Sequence, residues 1–363
     1  MGWYRQSTMR REMYGNRTGQ YAQNLYVKKV VDMKTVPGCR LVPLTDEGLP
    51  DLLSACAYSS GGSTHKPLLA VGGESGHLFV YKESSSIPYT TTELSPEELA
   101  TKGIPQKSLP VHRGLVFDVS WAGNSHVLSA GGDSTVKLTD VETGTSSTFN
   151  GHKGSVRSCR FQQDSSSIFV SCSRDGAIAL WDTRVASAKG SNVQPTRIIS
   201  DAHTTNMRTA SAQSACGAFF AGTSQVIVSA GVDGLIKLWD ARTSHKARTS
   251  GYETCMGYIP HYGEGVRPRA YTSLAISQRD GDTVVANCLD QRLYVFELSR
   301  SVRYTHSSPD TERRHTAQRE DGPINILAGH GFSSFYSKAN INCDDSLVAC
   351  GGRQGQVYLY QVC

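Results

Sequence analysis

Three histidine–serine–aspartate sets recur along the chain: His112, Ser129 and Asp133; His152, Ser171 and Asp175; His203, Ser229 and Asp233. A histidine beside a carboxylate is the usual general acid–base pair, so His152 and Asp175 are the first residues to weigh as chemistry. Their spacing argues for another role. In each set the serine lies four residues before the aspartate, and in two sets a tryptophan (Trp181, Trp239) follows the aspartate by six. In the first set Thr139 stands in the tryptophan position. A buried carboxylate or imidazole is costly unless hydrogen-bonded, so such residues come as a set. Repetition at one spacing marks a structural network rather than a catalytic pair. No Gly-x-Ser-x-Gly elbow, phosphate-binding glycine loop, HExxH or Cys-rich zinc spacing occurs. The paired Asp344 and Asp345 read as turn residues. The expectation is a non-enzymatic protein without catalytic residues, cofactor or metal.

The elements that must position these sets are short strands. Three segments align: His112 to Asp140, His152 to Asp182, and a third from His203 to Asp240. Each runs through an opening histidine, an alternating strand, a second strand, an aspartate turn and a third strand. The opening His112 and His152 are 40 residues apart, and a propeller blade repeats at about 40–45 residues. Weaker copies run from Leu68 to Lys82, from Tyr271 to Leu298 with Phe296 in the tryptophan slot, and from Gly329 to Val362 with Tyr360 there. "VKLTD", "IALWD", "IKLWD" and "LYVFEL" carry the period-two alternation of half-buried strands. The glycine pairs Gly72-Gly73, Gly131-Gly132 and Gly351-Gly352 fall at one blade position and read as backbone requirements.

The expected fold is all-β: a WD40-repeat β-propeller with six blades visible near 53–82, 112–143, 152–184, 203–242, 271–298 and 330–363. In the repeat's pattern the histidine, serine, aspartate and tryptophan form one buried hydrogen-bonded chain. Residues 1–50 form a basic arm, set apart from the propeller at 51–363, with a strand expected within Asn24 to Met33. Either that strand completes the last blade or the sequence lacks a seventh. The preferred expectation is a fragment whose full-length protein has seven blades. Residues 83–108 and 185–215 read as insertions, the second of them into the fourth blade, and 299–323 as an irregular stretch outside the blades.

The bulk composition fits a globular chain, with 38% hydrophobic and 19% charged residues and 35 glycines for tight turns. Ten cysteines show no CxxC spacing, and several lie inside apolar runs, so reduced core thiols and a cytosolic or nuclear setting are expected. No secretory signal opens the sequence, and no run approaches the roughly 18 apolar residues of a membrane span, so no membrane partner is expected. The net charge of +5 is modest. Arg5, Arg10, Arg11, Arg17, Lys28 and Lys29 make the arm basic, and Arg300, Arg303, Arg313, Arg314 and Arg319 form a second basic group. Both read first as solvated surface. Their functional reading is weak contact with an anionic partner such as nucleic acid.

One feature exceeds what folding needs. "SRDGAIALWDTR" and "GVDGLIKLWDAR" each place an arginine two residues after the tryptophan, Arg184 and Arg242, in consecutive blades. That position lies at the rim of one ring face, and arginine is favoured as an interface anchor. Trp-Asp-x-Arg in tandem resembles the box of WD-repeat substrate receptors of cullin-4 ubiquitin ligases. "VFDVSW", "ISDAH", "ANCLDQRLYVFEL", "GHGFSSFYSK" and "DDSLVACGG" extend the resemblance, in order, to the denticleless family over residues 68–363. The resemblance implies a non-catalytic receptor that docks on the ligase's adaptor protein. It would recruit PCNA-bound substrates on DNA for ubiquitination in replication, the cell cycle and the DNA damage response, in the nucleus. Carried over, the adaptor contact falls on Asp182, Arg184, Asp240 and Arg242, with Trp181 and Trp239 holding their strands. The family's seventh blade and long C-terminal tail are not matched. The alternative expectation is a generic WD40 scaffold in RNA processing or chromatin assembly.

Overall fold

The computed structural model describes residues 28–29, 51–59, 67–82, 105–185, 192–204, 212–242, 255–262, 269–304, 322–331, 337–342, 344–352 and 357–362. These residues form six sheets, each built on four antiparallel strands. The second blade is Val116–Ala122, His126–Gly131, Thr135–Asp140 and Ser146–Asn150. The third is Val156–Phe161, Ile168–Ser173, Ile178–Asp182 and Arg197–Ile199. The fourth is Ala215–Phe220, Val226–Gly231, Ile236–Asp240 and Cys255–Ile259, and the fifth is Tyr271–Ile276, Thr283–Cys288, Arg292–Glu297 and Asn325–Ala328. The first opens at Leu53–Tyr58 and ends at Lys107–Pro110. The sixth runs from Ala339–Ile341 to Val357–Gln361 and gains Lys28–Lys29 as its outer strand. The N-terminal arm therefore adds a strand to the last blade; the rest of residues 1–50 lies outside the described residues.

The first strands of successive blades lie side by side, which makes them the innermost strands of the ring. In five blades this strand skips one residue of register at its second position: Ser54, Phe117, Arg157, Cys216 and Thr272. A bulge bends and twists its strand and turns the extra side chain aside. One bulge at one place in each blade fits the common curvature of inner strands around a ring.

Apolar side chains fill the spaces within and between blades. Trp181 is fully buried and stacks on Phe169, its cross-strand partner, with centroids 5.8 Å apart. Phe149 of the second blade meets both rings edge-on. Phe296 and Tyr360 take the same slot in the fifth and sixth blades and stack on Tyr294 and Tyr358. In these blades a flat, buried ring fills the slot without an indole.

The outer strands were the part least readable in the sequence. Part of the stretch 185–215, expected as an insertion into the fourth blade, supplies the outer strand of the third at Arg197–Ile199. Asn192–Val193 adds a parallel strand to the edge of the second. Lys107–Pro110, which overlaps the end of the expected insertion 83–108, is the outer strand of the first blade. Strands of two to four residues are too short to show a period, and an edge strand is exposed on one side. Residues 83–104 and 305–321, including Arg313, Arg314 and Arg319, lie outside the described residues.

Candidate functional site

The histidine–serine–aspartate sets come together as hydrogen-bonded networks. In the fourth blade His203 Nδ1 lies 2.8 Å from Asp233, His203 Nε2 lies 2.8 Å from Ser229 Oγ, and Trp239 Nε1 donates to the same hydroxyl at 2.8 Å. In the third, His152 Nε2 lies 2.7 Å from Ser171 Oγ and Trp181 Nε1 donates to it at 2.8 Å. His152 Nδ1 stands farther from Asp175, at 3.5 Å. In the second, His112 bridges Ser129 at 2.8 Å and Asp133 at 3.0 Å, while Thr139 turns its hydroxyl to Ser146. Each serine hydroxyl is buried and its neighbours are committed to one another. That arrangement holds a turn and leaves no nucleophile facing a substrate.

Burial pushes the Asp233 carboxyl up, but His203 and Lys237 outweigh it and hold the group down to about 2. Asp175 is likewise held down to about 2, against burial, by His152 and the backbone amides of Lys153 and Ala177. Asp133 is lowered in the same way by His112 and Thr135. A carboxyl depressed below its ordinary 3.8 stabilises the fold above that value, and the stabilisation is lost as pH falls through the folded value. The melting temperature is therefore expected to hold level above about pH 5 and to fall steeply from pH 4 toward 2. Asp233→Asn should make that fall shallower in a pH series of thermal melts.

The tetrads also explain a glycine. At Gly231 an added Cβ would sit 2.5 Å from the His203 ring, and at Gly131 it would sit 2.2 Å from His112 Nδ1. Gly231→Ala is expected to cost about 1–3 kcal/mol by displacing the imidazole. Urea unfolding followed by tryptophan fluorescence checks this.

The two repeated arginines emerge at matching places. Asp182 and Asp240 each end a third strand, paired with Ile168 and Val226 at the start of the second. Asp182 Oδ1 accepts the Arg184 amide at 2.9 Å, and Asp240 Oδ1 accepts the Arg242 amide at 2.8 Å. Each aspartate then takes its own arginine's side chain: Nε and Nη2 of Arg184 at 2.9 and 2.6 Å, and of Arg242 at 3.2 and 3.2 Å. These hydrogen bonds lower both carboxyls. The arginine side chains nonetheless remain 69% and 74% exposed. A guanidinium has five N–H donors in a planar fork. Held by its Nε edge, each presents the remainder to solvent in a fixed direction.

Two features escaped the sequence reading. Arg197, on the outer strand of the third blade, donates to the Asp240 carbonyl at 2.6 Å and so spans the seam between the two arginine-bearing strand ends. At the ring's centre, buried Asp118 receives Lys338 at 2.7 Å, Arg160, and the Cys159 amide at 3.1 Å. Burial raises that carboxyl, and Arg160 and Lys338 bring it below its ordinary value. This cluster ties the second, third and sixth blades. Its one visible signal was a charged residue inside the apolar "VFDVSW".

Four-stranded blades in a ring, bulged inner strands and repeated His–Ser–Asp–Trp networks define a WD-repeat β-propeller. The WD domain, G-beta repeat pattern matches residues 103–140, 144–182 and 197–240. The chain is 28% identical over 323 residues to the Denticleless protein homolog of Danio rerio, covering 85% of this chain and 44% of that protein. The Homo sapiens homologue is 26% identical over 336 residues, 87% of this chain and 41% of that protein. Cell division cycle protein cdt2 of Schizosaccharomyces pombe is 29% identical over 83% of this chain and 58% of its own length. A crystal structure of the Mitotic Checkpoint Complex contains a similar fold, with a TM-score of 0.57 at 14% identity over 88% of this chain and 76% of that one. These similarities support a place in the denticleless family. It spans well under half the length of the two vertebrate relatives.

Proposed function

We propose that this chain is the propeller of a non-catalytic substrate receptor for a cullin-4 ubiquitin ligase. The face bearing Arg184 and Arg242 docks on the ligase's adaptor protein, and another surface of the ring takes the substrate. By the family's example the substrate is a protein bound to PCNA on DNA, and the setting is nuclear, in replication, the cell cycle and the response to DNA damage.

The observation that carries this reading is the pair of exposed guanidiniums, each clamped by the aspartate of its own Trp-Asp, at equivalent strand ends of consecutive blades. The tetrads already stabilise those blades, and a charged, oriented donor beyond the strand end adds nothing to the core. Fixed donors of this kind suit carboxylates or carbonyls on a partner.

The test is reconstitution of the purified chain with the adaptor, comparing wild type with Arg184→Ala/Arg242→Ala. A generic WD40 scaffold in RNA processing or chromatin assembly would capture no adaptor at all. Unimpaired capture by the double variant would equally overturn the assignment of this face.

A further inference from the structure

The fifth blade keeps the opening histidine, His261, two residues after the preceding outer strand as in His112 and His152, and the turn aspartate, Asp290, but has lost the serine and the tryptophan. Ala286 stands where the other blades have serine, and Phe296 stands in the tryptophan slot. Beside His261 and Asp290 a third group, a thiol, converges. His261 follows the outer strand of the fourth blade, Cys288 ends the second strand of the fifth, and Asp290 sits in the turn after it. Their ligand atoms all lie within 4.8 Å of one another.

The origin of the thiol's position is visible in the register. Cys288 pairs with Tyr271, as Gly131 pairs with Val116 and Gly231 with Ala215. In those two blades the glycine clears the imidazole, since any Cβ would enter the histidine ring. In the fifth blade the side chain of Cys288 therefore points toward the opening histidine. That histidine is His261, whose ring lies between those of Tyr271 and Tyr294 at 5.9 and 6.0 Å.

The polar accounting is unusual. In the tetrad blades both histidine nitrogens have partners between 2.7 and 3.5 Å. Both nitrogens of His261 are buried and without a hydrogen-bond partner among the described residues. Asp290 is not bonded to His261; it accepts the Tyr294 hydroxyl. The Cys288 thiol is hydrogen-bonded to Asp290, while the imidazole faces both without bonding to either, and a buried donor so left is costly. Donors about 2.0–2.3 Å from a tetrahedral zinc lie roughly 3.3–3.8 Å apart, so a set this close can converge on one ion.

We infer that His261, Cys288 and Asp290 form a binding site for a single zinc-class divalent cation. The mixed nitrogen, sulfur and oxygen donors suit zinc rather than magnesium or calcium, which take oxygen. Three protein ligands leave one position for water. Tyr294, donating to Asp290, is the outer partner that orients the carboxylate. Binding releases the Cys288 thiol proton to solvent and gives the sulfur lone pair to the metal. Burial and the adjacent Asp290 push that thiol up to about 12, and a dication supplies the opposing field. The site would staple the end of the fourth blade to the central hairpin of the fifth, where the serine and tryptophan of the tetrad are missing.

The test uses the whole chain, stripped with a chelator and titrated with cobalt(II), then with zinc. Wild type should take up about one ion per chain, show a thiolate-to-cobalt charge-transfer band, and melt higher with zinc than without. Cys288→Ser should lose the band. His261→Gln and Asp290→Asn should each weaken binding by more than the roughly 10–100-fold that loss of an outer partner costs. Asp290→Asn is isosteric and keeps the reading decisive should Cys288→Ser fail to fold. Wild type with no band and no zinc-dependent melt overturns the site. So does a band that persists in Cys288→Ser, or equal affinity in Asp290→Asn.

Discussion

Asp233→Ala is expected to lower the melting temperature by about 4–7 °C, the largest fall of any single aspartate change among the tetrads. The reason is burial. The Asp233 side chain is 4% exposed, against 16% for Asp175 and 15% for Asp133. One carboxylate oxygen meets His203 at 2.8 Å, and Lys237 Nζ stands 2.9 Å from the other as an ion pair, outside hydrogen-bond geometry. Truncation leaves a buried imidazole and a half-buried ammonium without their acceptor. Removing one partner of a buried pair typically costs about 3–5 kcal/mol. Asp175→Ala should cost less, because its histidine contact is 3.5 Å and its other partners are backbone amides near solvent. Differential scanning calorimetry of the two variants decides the matter. A larger loss for Asp175→Ala would mean that burial does not set the scale.

The ring was legible in the sequence because its blades repeat, and a repeat multiplies weak signals. One histidine followed by a serine and an aspartate proves little, but three sets with the same serine-to-aspartate spacing identify their partners before any coordinate is known. The same logic fails wherever the chain departs from the repeat. Arg197–Ile199 is a three-residue edge strand with no period to show. Asp118 and Lys338 are 220 residues apart and meet only because the ring brings the second and sixth blades together. His261 and Cys288 belong to no spacing of known metal motifs, since one lies after a fourth-blade strand and the other ends a fifth-blade strand. His261 holds the opening-histidine position of the fifth blade, but with the serine and tryptophan of that blade replaced by Ala286 and Phe296 the repeat pattern did not reveal it.

Arg184→Ala with Arg242→Ala should weaken adaptor binding on the order of 100-fold or more while leaving the melting temperature unchanged. The two halves of the prediction rest on the same geometry. Each guanidinium is mostly exposed and bonded to an aspartate at the surface, a pairing that contributes little to folding. Each backbone amide keeps its bond to Asp182 or Asp240 after truncation, so the turn survives the loss of the side chain. At an interface the same groups act differently. A long cation normally loses rotamer freedom on docking, and here the aspartate clamp has already removed much of it. That ordering predicts a further result. Asp182→Ala with Asp240→Ala leaves both arginines in place but unclamped, and should bind more weakly than wild type yet better than the double arginine variant. Surface plasmon resonance with immobilised adaptor, at two salt concentrations, measures all three. If the arginines anchor a polar interface, wild-type affinity falls with salt and the residual binding of the double arginine variant responds less.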